Sequence, residues 1–171
     1  MMNKGLELIE SQWLFGLNPE DIEILIHPQS VIHSLVTYVD GSVLAELGEP
    51  DMRTPIAYGL GFPNRIKSGV KQLKLQDLNG LNFLEPDLQR FPCLKIAREV
   101  AVTGGSAPAV MNAANEIAVD AFLSHSLPYI EIPIIVEKTL NAISIIEPKS
   151  IEEIVEVDSI ARKFAMELIK Q

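Results

Sequence analysis

Apolar residues Leu6, Ile9 and Trp13 recur at three- and four-residue steps, and Gly16 followed by Asn18-Pro19 ends the pattern, so the spacing predicts a helix over residues 3 to 15. Lys4, Glu7 and Ser11 fall on the other side of that helix, which leaves a polar face free for chemistry. From Ile22 to Leu47 the period changes to two, with strand patterns in EILIH, VIHSLVTYV and SVLAEL. Asp40-Gly41 between the last two predicts a two-residue type I′ hairpin, because both central residues would need positive φ. Such a turn sets Val39 opposite Ser42, Thr37 opposite Leu44, Leu35 opposite Glu46 and His33 opposite Gly48. His33 is then expected at the open end of the hairpin, beside the loop GEPDMRTP.

The stretch PNRIKSGVKQLKLQDLNGLNFLEPD has little periodicity and is broken by Pro63, Gly69, Gly80 and Pro86, so it reads as an irregular connector. Helical spacing returns in PCLKIAREVAV, in APAVMNAANEIAVDAFL behind Thr103-Gly104-Gly105-Ser106, and in IPIIVEKTLNAIS. A final pair is expected: a short helix with Ser150 and Glu153 as its capping box, then SIARKFAMELIK with Asp158 as cap. Short Pro- or Gly-marked turns between these helices argue for a small bundle. The pattern is therefore of the α+β class: a helix and an antiparallel hairpin over residues 1–61, a connector over 62–87, and a helical domain over 88–171.

Composition narrows the partners. The chain has 171 residues, 47% of them apolar, enough for a sizeable core. Its 14 basic and 23 acidic residues give a net charge of -9, which opposes binding to nucleic acid phosphates and anionic membranes. Cys93 is the single cysteine and permits no internal disulfide, and MMNKGLELIE has neither the pattern of a secretion signal nor the apolar length of a membrane span. A reducing cytoplasm is the expected compartment.

Four groups of residues could carry chemistry. Asn3, Lys4 and Glu7 put an amide, a cation and a carboxylate at a helix amino terminus, where unpaired N–H groups favour a phosphate and Glu7 could serve a hard divalent metal. The same spacing is also that of an ordinary surface ion pair. His27 and His33, six apart with no cysteine near, do not make a zinc pair; His33 could donate to a phosphate or hydroxyl, or be a half-buried histidine satisfied by backbone. In GEPDMRTP two prolines stiffen a segment in which Met52 suits an apolar lid or a core filler, and Asp51 with Arg53 reads as a structural ion pair. Asn112, Asn115 and Glu116 form a polar stripe on an apolar helix, expected as a hydrogen-bonded network, and TGGS reads as a helix cap.

Taken in order, MNKGLELIE, ILIHPQSVIHSLVTYVDGSVLAELGEPDMRTPIAYGLGFPNR, FPCLKIA and MNAANEIAVDAFL resemble the 1-deoxy-D-xylulose-5-phosphate reductoisomerase family, from residue 2 to the end of the chain. The resemblance implies conversion of 1-deoxy-D-xylulose 5-phosphate to 2-C-methyl-D-erythritol 4-phosphate with NADPH and a divalent metal, Mn or Mg. It implies that Asn3 and Lys4 hold the phosphorylated substrate and that Glu7 binds the metal and touches substrate. It places His33 near the substrate region, Pro50 and Met52 beside the nicotinamide, and the hairpin in a homodimer contact. No strand followed by GxGxxG occurs, and the family's Asp-Ser-Glu segment with the other metal carboxylates is missing. The chain is thus expected to be the carboxy-terminal part, the remnant of an α/β catalytic domain followed by a bundle, inactive without its amino-terminal domain. The alternative is a non-catalytic remnant or self-association module.

Overall fold

A computed structural model describes residues 1–170. In chain order the elements are α1 (Met2–Phe15), β1 (Ile32–Thr37), β2 (Val43–Leu47), α2 (Arg53–Gly61), α3 (Pro92–Thr103), α4 (Ala107–Leu123), α5 (Ile132–Ala142) and α6 (Ile151–Ile169). They form two compact units: Met1–Ile24 together with the chain from Asp87 onward, and Leu25–Pro86 between them. This division departs from the expected boundaries, because α1 belongs with the carboxy-terminal helices rather than with the hairpin.

The reason lies in the face that α1 buries. Gly5, Leu8 and Ile9 are its buried residues, whereas Trp13, expected on the apolar stripe, is 74% exposed. Leu8 and Ile9 join Ile96, Ala97 and Val100 of α3 and Met111 of α4 in one core. A Cβ on Gly5 would overlap that of Ala97, so glycine is what lets α1 and α3 lie this close. The helix ends at Gly16, whose φ of 64° is the left-handed cap geometry that a glycine adopts freely.

Alanines let α4 and α6 approach as well. Val110 and Ala113 of α4 meet Val157 and Ala161 of α6 in a second cluster, every one of them buried. The expected final pair of helices is one helix: no Gly or Pro interrupts residues 151 to 169. Asp158, expected as a cap, instead receives Arg162 Nε at 2.7 Å one turn on. Ser150 does cap, accepting the Glu153 N–H at 3.3 Å. Ser106 does not cap α4; its Oγ accepts the Ile146 N–H at 3.0 Å while its own N–H donates to Ile146 O at 2.9 Å. TGGS is a clamp on the segment after α5.

In the middle unit β1 and β2 pair antiparallel, but the turn is not the two-residue one expected. Gly41 N–H donates to Tyr38 O and Tyr38 N–H to Ser42 O, both at 2.9 Å. Gly41 alone takes positive φ, at 85°. This is a turn over Tyr38–Gly41 with glycine at its left-handed corner, one residue longer than a type I′ loop. Asp40 stabilises it by accepting the Ser42 hydroxyl at 2.6 Å and the Ser42 N–H at 2.9 Å. The extra residue slips the register by one, so Thr37 faces Val43, Leu35 faces Ala45 and Ser34 faces Glu46. The expected first strand, EILIH, is reduced to one bridge between Ile26 and Leu84. Residues after Arg53 form α2, a helix that the mixed composition of RTPIAYGLG does not announce.

Candidate functional site

The first turns of α1 bring Asn3, Lys4 and Glu7 onto one carboxylate. Glu7 Oε1 accepts Asn3 Nδ2 at 2.5 Å, and Oε2 pairs with Lys4 Nζ. Helical spacing alone aligns them, and the buried Gly5, Leu8 and Ile9 turn them outward by anchoring the opposite face. The Lys4 and Glu7 side chains are 54% and 44% exposed. Each carboxylate oxygen accepts one donor and keeps a second acceptor position. Glu7 supplies one hard oxygen donor, and among the described residues no group of three or more His, Cys, Asp or Glu could hold a metal ion. The described residues by themselves do not make a complete metal site.

His33 belongs to the middle unit, where a register shift between Ile32 and Ser34 makes it the extra residue of a β-bulge. Its Nε2 lies 3.1 Å from Ser30 O and its Nδ1 3.2 Å from Glu46 Oε2. The backbone carbonyl makes Nε2 a donor. The register expected from sequence is off by one, yet the bulge restores His33 to the neighbourhood of Gly48: a Cβ there would lie 3.8 Å from His33 Cε1. The ring is thus held beside the start of GEPDMRTP.

His27 has a different task. Its Nδ1 donates to Asn82 O at 2.8 Å, its ring stacks on Phe83 at 4.9 Å, and Gln29 Oε1 accepts the Asn82 N–H at 3.2 Å. HPQ therefore clamps the returning connector at residues 82 to 84. The Nε2 of His27 is buried with no partner among the described residues. Sequence spacing alone could not separate the two histidines' roles.

The loop before α2 is stiffened by Asp51. Arg53 Nη2 donates to Asp51 Oδ2 at 2.7 Å and the Arg53 N–H to Oδ1 at 2.9 Å, the ion pair that the sequence suggests. The Arg53 side chain beside it holds the Asp51 carboxyl down at about 2. Pro50 and Met52 flank this knot, and Met52 is 70% exposed. An open groove of about 420 Å³ runs past Gly48, Glu49, Thr54, Ser68 and Lys71 within the same unit.

On α4, Asn112 Nδ2 donates to Glu116 Oε1 at 3.1 Å, and Glu116 pairs with Arg162 of α6 at 2.7 Å. Arg162 also holds Asp158, so the polar stripe ties α4 to α6, as a network reading of the sequence expects. Hydrogen bonds from Arg162 and Asn112 keep the Glu116 carboxyl below its ordinary range. Asn115 Oδ1 is buried without a partner among the described residues.

Residues 47–164 match the family model described as the DXP reductoisomerase C-terminal domain. The chain belongs to that family. It is 54% identical over 167 residues to the 1-deoxy-D-xylulose 5-phosphate reductoisomerase of Methylobacillus flagellatus, a match that covers 98% of this chain and 42% of the relative. The Ectopseudomonas mendocina reductoisomerase is 58% identical over 167 residues, again covering 98% of this chain and 42% of the relative. Among solved structures, the Zymomonas mobilis enzyme in complex with NADPH superposes with a TM-score of 0.93 at 50% identity, covering all of this chain and 45% of that one. A DOX-P reductoisomerase in complex with NADPH, fosmidomycin and magnesium superposes at 0.94 and 50% identity, covering 99% of this chain and 44% of the other. The chain spans less than half the length of these relatives. The resemblance read from MNKGLELIE, HPQSVIH and GEPDMRTP is borne out, as is the α+β class, with six helices and a two-stranded antiparallel sheet among the described residues. Among the described residues no helix is long and apolar enough to cross a membrane.

Proposed function

We propose that this chain is the carboxy-terminal portion of an NADPH- and divalent-metal-dependent reductoisomerase that converts 1-deoxy-D-xylulose 5-phosphate to 2-C-methyl-D-erythritol 4-phosphate in the cytoplasm. The observation that carries this reading is the identity of 54% across nearly the whole chain with a reductoisomerase, on a chain whose first helix gathers Asn3, Lys4 and Glu7 into one polar cluster. In this reading α1 and the hairpin are what remains of an α/β catalytic domain, with α1 packed on the helices from residue 88.

Asn3 and Lys4 bind and orient the phosphorylated substrate, through the amide's donor and the ammonium's charge. Glu7 gives one carboxylate to Mn or Mg, and the remaining ligands come from the amino-terminal portion, which also binds NADPH. The metal supplies Lewis-acid stabilisation of negative charge. Lys4, paired with Glu7 in this structure, would offer its charge to the substrate's anionic group. His33, held by Ser30 and Glu46, would bind substrate, and Pro50 with Met52 would lie beside the nicotinamide. Adding the amino-terminal portion of the Methylobacillus flagellatus relative is expected to produce NADPH oxidation that needs Mn or Mg and is abolished by Glu7→Gln. Turnover by the chain alone, or restored turnover indifferent to Glu7, would sink this reading.

Self-association is supported by a separate observation. Leu35, Val36, Tyr38, Val43 and Leu44 of the hairpin are all at least 40% exposed, and a two-stranded sheet is marginal without further packing. The hairpin is accordingly proposed to pack against its symmetry mate in a homodimer. A Val36→Glu, Leu44→Glu pair is expected to shift sedimentation from dimer to monomer.

A further inference from the structure

Between Ser30 and Ser34 the backbone of the middle unit departs from regular geometry twice, and both departures serve His33. Ser30 takes a φ of 52°, in the left-handed region that residues other than glycine seldom enter. The β-bulge between Ile32 and Ser34 follows. Departures of this kind persist where surrounding contacts hold them, and they gather at functional sites. His33 Nε2 donates back to Ser30 O at 3.1 Å. In an even strand residues 33 and 34 would project to opposite faces. The bulge breaks that alternation, so His33 reaches the side chain of Glu46, the residue that pairs with Ser34 across the ladder.

These contacts decide more than position. Glu46 Oε2 lies 3.2 Å from His33 Nδ1, and a carboxylate, like a backbone carbonyl, only accepts. A ring that bonds an acceptor through each nitrogen carries a proton on each. With both bonds made, His33 is the cationic half of an ion pair that Glu46 completes across the hairpin. The pair lies over Gly48, where a Cβ would be 3.8 Å from both His33 Cε1 and Glu46 Oε1. The two side chains are 35% and 54% exposed, so the ring is held and still open to a ligand.

We propose that Glu46 is the positioning residue of His33: together with Ser30 O it holds the imidazole by both nitrogens, so that the ring meets the phosphorylated substrate as a fixed cation. The substrate role of the pair rests on the proposed function. Glu46 needs no contact of its own with substrate and acts through the ring. Hydrogen bonds to a charged group are stronger than those between neutral groups, and a side chain already held in place loses less freedom when a ligand binds.

Glu46→Gln separates charge from shape. The glutamine amide fills the same space and can donate to an unprotonated Nδ1 while Nε2 still donates to Ser30 O, so the ring keeps its place with one proton fewer. Nitrogen NMR of the histidine-labelled chain at neutral pH reads this directly, with His33→Gln assigning the signals. Both ring nitrogens of His33 should be protonated in the parent and only Nε2 in Glu46→Gln, with the His27 and His125 signals unmoved as the control for folding. Kinetics use the chain with the amino-terminal portion of the Methylobacillus flagellatus relative fused ahead of residue 2. There Glu46→Gln and Glu46→Ala should each raise KM for 1-deoxy-D-xylulose 5-phosphate about fivefold with kcat within about twofold. Loss of a carboxylate near an anion site would by charge alone lower KM, so a rise marks action through the ring. In the His33→Gln fusion, Glu46→Gln should add nothing further. A parent His33 with one protonated nitrogen, a KM that Glu46→Gln leaves unchanged or lowers, or an effect that persists without His33 overturns the proposal and leaves the function standing. A parent fusion without magnesium-dependent NADPH oxidation overturns the function and with it the substrate role of the pair.

Discussion

Gly5 of α1 and Ala97 of α3 pack so closely that a Cβ on Gly5 would overlap that of Ala97. This one crossing joins the helix that carries Asn3, Lys4 and Glu7 to the carboxy-terminal core. The candidate site is thereby mounted on the bundle through two of the smallest side chains.

Replacing Gly5 by Ala sets two effects against each other. The new methyl should gain about 1 kcal/mol in helix propensity, while overpacking a dense contact costs about 1 to 3 kcal/mol. Net destabilisation of up to about 2 kcal/mol is expected in urea unfolding, with Ala97→Gly in the same chain recovering part of it. A Gly5→Ala chain as stable as the parent, or more so, would show that α1 and α3 are not in contact there.

The cluster on Glu7 should matter little to folding. Exposed ion pairs one helical turn apart stabilise by about 0.2 to 0.5 kcal/mol. Lys4→Met and Glu7→Gln are therefore expected to leave the urea midpoint of the chain nearly unchanged. In the assembled enzyme both should reduce turnover at least a hundredfold. Large losses of stability from either change would favour a structural role instead.

Asp51 should titrate abnormally low. Its carboxyl is held at about 2, against an ordinary 3.8, chiefly by the Arg53 side chain and then by the Arg53 N–H. Because the folded value is depressed, the contribution of this pair is fully present above the unfolded value and is lost as pH falls from 3.8 through about 2. A carboxylate NMR titration should give a midpoint near 2, moving back toward 3.8 in Arg53→Met. An Asp51 midpoint that ignores Arg53 would refute the knot.

Arg162 joins Glu116 of α4 to Asp158 on its own helix α6. Arg162→Met is expected to raise the Glu116 midpoint toward its ordinary 4.5, because the arginine is the first cause of its depression. Here too the linked stability is present at neutral pH and fades as pH falls through the lowered value. A double-mutant cycle with Glu116→Gln should give a coupling of about 0.5 to 1 kcal/mol, in keeping with a half-exposed pair. Zero coupling would mean that the two helices are held by the alanine contacts alone.

Much of this was legible in the order of the residues. The Leu6-Ile9 periodicity and Gly16 placed α1 to within a residue, and helical spacing put Asn3, Lys4 and Glu7 together because neighbours at three and four are a local matter. The Ser150 cap, the Asp51–Arg53 pair and the polar network on α4 were local in the same sense or were signalled by polar residues in an apolar helix. Competing local signals hid the rest. Asp40-Gly41 suits two turn lengths, and the longer one slipped the hairpin register; Asp158 suits a cap or a partner for Arg162.

Local geometry thus settled which side chains meet within one helix or one turn, since a few backbone dihedrals fix those distances. Long-range packing settled the rest. Whether α1 joins the hairpin or the bundle depended on a glycine and an alanine lying 92 residues apart in the chain. His27 became a clamp because Asn82 and Phe83 return to it, and Ser106 found its partner at Ile146. Such pairings are chosen by the burial and shape of the whole core, a property that no stretch of sequence holds within itself.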